Sequence, residues 1–167
     1  MIVDGDFNKK HLQFNEGAFL NELIAFERKV LLGFSECTKL SKFKKIVLSP
    51  KSVIVALRDE NGIIIGYGIG SIRNFKIPSG HIYKLAVCQK HRRKGIATKL
   101  LKLLEEFFRK NSMKKIFAEV RESNKASLEF FKKNGYAEKA KMFAYYECLN
   151  QGIDLETGVK ICKDLTC

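Results

Sequence analysis

The run Arg92-Arg93-Lys94-Gly95-Ile96-Ala97 sets three cations and one glycine between a short apolar stretch and a helix. The stretch before it, Leu85-Ala86-Val87-Cys88, reads as a buried strand. After it, Ile96, Leu100, Leu103, Leu104, Phe107 and Phe108 recur at three- and four-residue spacing, which gives an amphipathic helix one apolar face. A strand that enters a helix through such a loop aims unpaired backbone N–H groups at one spot, where the positive end of the helix dipole also lies. A helix start prefers anions, so cations there make sense if an anion binds among them. The arrangement suits a pyrophosphate, and Gly95 lets a phosphate reach the backbone. A solvated basic surface is the alternative reading of the same residues.

Proton transfer has candidates of its own. Glu119 stands in the otherwise apolar run Ile116-Phe117-Ala118-Glu119-Val120. A carboxyl desolvated there is expected to have a raised pKa, which suits a general base; an edge-strand surface charge is the alternative. His81 lies on the same strand face as Tyr83 and Leu85, and its imidazole suits proton transfer directly or through a water. The neighbouring Tyr145 and Tyr146 offer hydroxyls, or else serve as core aromatics.

Periodicity predicts the elements that hold these side chains. Met1 to Val3 reads as a short strand and Asp4 to Asn15 as a loop. Glu16 to Leu32 carries Phe19, Leu20, Leu23, Phe26, Val30 and Leu31 on one face, a helix ended by Gly33. A second helical stretch is expected from Ser35 to Phe43, with Lys39, Lys42, Lys44 and Lys45 exposed. Ser52 to Arg58 is a β-branched strand, Glu60-Asn61-Gly62 a hairpin signal, and Ile63 to Ile72 the returning strand. Gly66, Gly68 and Gly70 alternate along that return and bare one face for a helix or a ligand. Pro78-Ser79-Gly80 reads as a turn and His81 to Cys88 as the central strand. Beyond the long helix, Asn111 to Lys115 is a polar break, Lys115 to Arg121 a strand, and Lys125 to Lys133 a helix stopped by Asn134-Gly135. Tyr136 to Lys139 opens the last section, with Phe143 to Leu149 and Val159 to Leu165 as strands and Asn150 to Gly158 as a loop. A hairpin followed by strand–helix–strand–helix–strand predicts an α/β (α+β) fold: a mixed, largely antiparallel central sheet with helices on both sides.

A chain of 167 residues suits a single domain spanning 1–167. Hydrophobic residues at 46% and charged residues at 29% fit a soluble globular protein. No apolar run is long enough to span a bilayer, and the first residues lack a signal-peptide core, so a cytoplasmic protein with no membrane partner is expected. The five cysteines, an odd number with no C-x-x-C pair, argue for free thiols and against a disulfide framework or a metal site. Against 18 Asp and Glu stand 31 Lys and Arg, a net charge of +13 that attracts polyanions and disfavours polycationic ligands.

The pattern R-x-x-G-x-A after a strand ending in Leu-Ala-Val resembles the acetyl-CoA signature of the GNAT superfamily, the Gcn5-related N-acetyltransferases. Further along come Ala118-Glu119-Val120-Arg121, Ser123-Asn124 and Ser127-Leu128-Glu129-Phe130-Phe131, closed by Asn134-Gly135-Tyr136. This series is similar to the E-V-R-x-S-N segment of the N-terminal protein and ribosomal-protein alanine acetyltransferases. The resemblance runs from about Ile82 to Tyr146; the preceding half fits the family's layout without diagnostic residues.

The resemblance implies a GNAT fold and an acetyl-CoA-dependent N-acetyltransferase acting on a primary amine, with a protein or peptide α-amine as the nearest acceptor. It assigns the pantetheine to the backbone of Leu85, Ala86 and Val87. The pyrophosphate falls to the N–H groups of Arg93, Lys94, Gly95, Ile96, Ala97 and Thr98, with Arg92, Arg93 and Lys94 adding charge. Asn124 matches a residue that hydrogen-bonds the cofactor and is also a natural helix N-cap. Glu119 aligns with the family's carboxylate base, His81 with a position that holds a base or tyrosine in several branches, and the Tyr145-Tyr146 pair with residues that hold the acceptor. Phe131 stands where relatives carry a tyrosine acid, so it serves as a cofactor contact at most, and Tyr145 or Tyr146 is left to supply the hydroxyl. A small-molecule amine acetyltransferase and a non-catalytic acyl-CoA-binding or RNA-associated module are the alternatives. The net charge of +13 also suits a ribosome or nucleic acid as partner, and an exposed terminal strand would offer an edge for a homodimer.

Overall fold

A computed structural model describes residues 2–4, 16–30, 45–74, 76–147 and 155–165. The elements in chain order are β1 (Ile2–Asp4), α1 (Glu16–Val30), β2 (Ser52–Arg58), β3 (Ile64–Asn74) and β4 (Pro78–Val87). A short 3-10 turn (Gln89–His91), α2 (Ile96–Lys110), β5 (Lys115–Arg121), α3 (Lys125–Lys133), β6 (Ala137–Glu147) and β7 (Leu155–Asp164) follow. Hydrogen-bonded strand neighbours run β1-β2-β3-β4-β5-β7-β6, the mixed sheet expected from the alternation of elements. The expected helix at 35–43, the end of the first helix at Gly33 and the body of the first loop lie outside the described residues.

The chain divides into two compact units, Met1–Ile69 with Lys84–Leu104, and Gly70–Tyr83 with Glu105–Cys167. In the first unit β1 pairs parallel with β2, Ile2 opposite Ile54. The hairpin from β2 to β3 turns at the predicted place: the Asp59 carboxylate accepts the N–H groups of Asn61 and Ile63, and Gly62 takes φ 76°. Strand β3 has two different faces because side chains alternate along it. Tyr67 and Ile69 pack with Phe19, Leu23 and Phe26 of α1, the Tyr67 ring lying edge-on to Phe26 at 5.5 Å. On the other face Gly66 and Gly68 admit α2: a Cβ at Gly66 would stand 3.1 Å from Leu100 Cδ1, and one at Gly68 2.9 Å from Leu104 Cδ1. The bared glycine face is therefore filled by a helix, and helices cover both faces of β3.

The second unit contains the rest of β3 and β4, the end of α2, and β5 to β7. Strand β4 pairs parallel with β5 from Ser79 opposite Lys115 to Ile82 opposite Ala118. Pro78-Ser79-Gly80 is not a turn, as its composition suggested, but the start of β4. Proline is tolerated as the first residue of a strand because its missing N–H need not pair there, and the Pro78 carbonyl accepts from Lys114 N–H. Gly80 serves packing: a Cβ there would stand 2.5 Å from the Phe108 ring. At the C-terminal end β6 and β7 are longer than the sequence suggested, and residues 155–158 belong to β7 rather than to a loop. Gly158, the last residue of the expected loop, sits in the strand, where the Tyr145 and Met142 side chains lie 3.0 and 3.2 Å from where its Cβ would be. Strand β6 stays continuous across register shifts at Glu138/Ala140 and Met142/Tyr146, which absorb extra residues.

Candidate functional site

In the first unit the basic loop has the form of an anion cradle. Arg93 and Gly95 take positive φ, 61° and 77°, and Lys99 N–H reaches the Gly95 carbonyl to open α2. Successive N–H groups in such a turn form a concave donor surface. Arg92, Arg93, Lys94 and Gly95 are exposed, and the first turn of α2 carries no acidic residue. A Cβ at Gly95 would meet nothing within 4 Å, so the glycine serves the left-handed turn and leaves open space over the backbone. Ile96, Ala97 and Thr98 continue as the first residues of α2, with Ile96 seated against Gly66. Arg92 Nε donates to the Val87 carbonyl at 3.3 Å, tying the loop to the end of β4. Leu85 packs toward Gly68, and Ala86 packs against the α1 cluster. This donor set fits a diphosphate.

The second unit gathers the acid–base groups. His81 Nε2 lies 2.5 Å from Glu119 Oε2, with the two side chains 5% and 14% exposed. Arg73 NH2 lies 3.1 Å from His81 Nδ1 and 3.3 Å from the Tyr83 hydroxyl. A guanidinium only donates, so Nδ1 must accept; Nε2 then carries the proton and donates it to Glu119. The neighbours thereby fix the tautomer and orient the ring. Tyr83 stacks edge-on against His81 at 4.4 Å, and Arg73 lies 5.5 Å from the Tyr83 ring centre.

The Glu119 carboxyl differs from the sequence expectation. Burial pushes it up, but the hydrogen bond from His81, with the charges of Arg73 and Lys160, outweighs burial and holds it below the ordinary carboxylate value. Lys160 stands directly opposite Glu119 in the β5–β7 ladder, with its ammonium 4.8 Å from the Phe117 ring. The two phenols diverge. Tyr83 is pushed up by burial but brought below the usual phenol value by hydrogen bonds from Ser71 and Arg73. Tyr145 is raised, first by burial and then by the Glu119 charge.

Tyr145 reaches this face because of a bulge. Ala144 at φ 54° breaks the alternation of β6, so Tyr145 and Met142 both lie over Gly158. The backbone of Tyr146 pairs with Glu156, and its side chain lies outside the described residues. Asn124 caps α3, its Oδ1 accepting from Ser127 N–H at 3.1 Å. Glu156 braces the same turn: it pairs with Arg121 at 2.5 Å and accepts from the Ser123 hydroxyl and from its N–H. Phe131 is buried, its ring against Phe130 and Tyr136, and so contributes to the unit's core. Arg73, Lys160 and Glu156 escaped sequence reasoning, because only cross-strand neighbours distinguish them from other surface charges.

Among the described residues no three His, Cys, Asp or Glu side chains gather to hold a metal ion, and no helix is long and apolar enough to cross a membrane. Cys88 and Cys162 are free thiols.

Comparison with known proteins adds a second line of observation. The family model described as Acetyltransferase (GNAT) family matches residues 13–136. An uncharacterized N-acetyltransferase, MJ1530 of Methanocaldococcus jannaschii, is 38% identical over 88 residues, which is 52% of this chain and 54% of that protein. The match thus spans about half the length of that relative. The N-terminal acetyltransferase A complex catalytic subunit NAA10 of Arabidopsis thaliana is 25% identical over 146 residues, 86% of this chain and 76% of that one. The crystal structure of the ribosomal-protein-S18-alanine N-acetyltransferase from Escherichia coli superposes with a TM-score of 0.76 at 18% identity, covering 92% of each chain.

Proposed function

Because the chain belongs to the GNAT acetyltransferase family, we propose that it moves the acetyl group of acetyl-CoA onto the α-amine of a protein or peptide, with Glu119 as the base and His81 orienting it. The Arg73–His81–Glu119 chain of hydrogen bonds carries this reading. The α-amine is favoured by the likeness to NAA10, an N-terminal acetyltransferase subunit, and to the alanine acetyltransferase of a ribosomal protein.

Acetyl-CoA supplies an acetyl group already activated as a thioester. Arg92, Arg93 and Lys94, with the N–H groups through Thr98, bind its diphosphate, and the backbone of Leu85, Ala86 and Val87 pairs with its pantetheine arm. Asn124 adds a polar contact from the cap of α3, which Glu156 holds in place through Ser123.

A carboxylate held below its ordinary range is a weak base, yet a weak base suffices here. The amine nitrogen becomes strongly acidic as its new bond forms, so Glu119 need take the proton only late. Before that, the positive charges of Arg73 and Lys160 favour the neutral, nucleophilic form of an incoming amine. His81 donates to Glu119 throughout and keeps the accepting carboxylate oriented. The leaving thiolate needs a proton that Phe131 cannot give. Tyr83 takes that role in preference to Tyr145, because a phenol with a lowered pKa is the better acid near neutral pH.

The direct test is release of CoA from acetyl-CoA in the presence of a peptide with a free N-terminus and no lysine, and of the same peptide with its N-terminus blocked. Release with the free peptide alone supports the reading. Release only with small amines such as an aminoglycoside or a polyamine would favour a small-molecule acceptor instead.

A further inference from the structure

We infer that the acceptor carries a carboxylate within its first two residues, so that the protein selects acidic N-termini. The inference rests on the α-amine reading above and adds the chemical class of substrate. Its basis is the balance of charge around Glu119. Arg73 approaches through His81, and Lys160 stands opposite Glu119 on β7. Two cations thus attend one carboxylate. Among the described residues neither cation forms an ion pair; Arg73 is held by the neutral His81 and Tyr83 groups, and the Lys160 ammonium lies over the Phe117 ring. The next charged pair on this face, Arg121 with Glu156, neutralises itself at 2.5 Å.

An amine arriving at Glu119 therefore enters a region with a positive surplus. A peptide that brings only its own amine gains one attraction and meets two repulsions. With a carboxylate on the first or second side chain, it gains a partner in Lys160 or in the remaining N–H groups of Arg73, and specificity comes from both the attraction and the avoided repulsion. The exposed rings of Tyr83 and Tyr145 add apolar surface and hydroxyl groups. A lysine or arginine beside the amine is the least favoured neighbour.

The test is kcat/KM for a set of peptides identical except in their first two residues, which are acidic, uncharged polar or basic. Acidic peptides are expected to exceed uncharged ones by about tenfold, the scale of one charge-assisted hydrogen bond, and basic peptides to rank last. Lys160→Met is expected to bring the acidic-to-uncharged ratio close to unity, Lys160→Arg to keep it, and added salt to reduce it. Equal rates across the set, a preference for basic peptides, or an unchanged ratio in Lys160→Met overturns this inference and leaves the α-amine reading intact. No transfer to any peptide overturns both. The wild-type ranking decides the matter even if a variant fails to fold.

Discussion

His81 hydrogen-bonds Glu119 at 2.5 Å although the strand register sets His81 opposite Phe117. The contact is a diagonal one, to the residue two places along β5, just past the last ladder pair of Ile82 with Ala118. Only long side chains span such a diagonal. With Arg73 closing the other side of the ring, each ring nitrogen has a partner. The ring is thereby held between a donor and an acceptor.

The pH dependence of stability follows from the Glu119 carboxyl. Its value in the folded chain lies below that of the unfolded chain, so ionised Glu119 stabilises the fold above the ordinary carboxylate range, and this contribution is lost as pH falls through the folded value. Denaturant melts of wild type and Glu119→Gln are expected to differ most near neutral pH and to converge as pH is lowered from about 6 toward about 3. A difference that stays constant over that range contradicts the charge balance described for this carboxyl.

The two phenols are separable by substitution. Tyr83→Phe is expected to lower kcat by about a hundredfold with little change in acceptor KM, since a proton donor acts in the transition state. Tyr145→Phe is expected to act on acceptor KM, because its raised phenol is a poorer acid. Steady-state kinetics on both variants distinguish these roles, and the reverse pattern would transfer the acid to Tyr145.

Gly95 tests the proposed link between backbone geometry and cofactor binding. Gly95→Ala places an L-residue at φ 77°, with a strain of about 1 kcal/mol, although nothing lies within 4 Å of the new Cβ. Thermal melting should show that modest loss, and the KM for acetyl-CoA should rise several-fold as the new methyl group fills the space over the loop. Gly95→Asn, a residue that tolerates this conformation, should recover stability but not the KM.

Gly80 tests packing alone. Gly80→Ala drives a methyl group into the Phe108 ring at 2.5 Å and is expected to cost about 1–3 kcal/mol. Phe108→Leu in the same chain should recover part of the loss, a coupling that a double-mutant cycle measures.

The sequence made the local elements legible and left cross-strand relations hidden. Lys115–Arg121 and Lys125–Lys133 match their predicted bounds because period-2 and period-3.6 patterns are carried by neighbouring residues. Pro78, Gly80 and Gly158 misled because proline and glycine mark turns in most contexts. Here the first opens a strand, and the other two yield space to Phe108 and to Tyr145. Glu119 and His81 are legible one at a time as candidates. Their bond, the Arg73 anchor and the opposing Lys160 depend on register, which no single stretch of chain encodes. That is also why the Glu119 carboxyl was expected above its ordinary value: burial is legible in an apolar run, and the compensating charges are not.

The measurement closest to the central claim is kcat/KM for acetyl transfer to a lysine-free peptide by wild type, Glu119→Gln and His81→Ala, with the acetyl group located by fragmentation. Transfer to the α-amine by wild type is expected, with losses of about a hundredfold or more in Glu119→Gln and smaller but clear losses in His81→Ala. Variants that retain wild-type rates, or an acetyl group found elsewhere than the α-amine, would contradict the account.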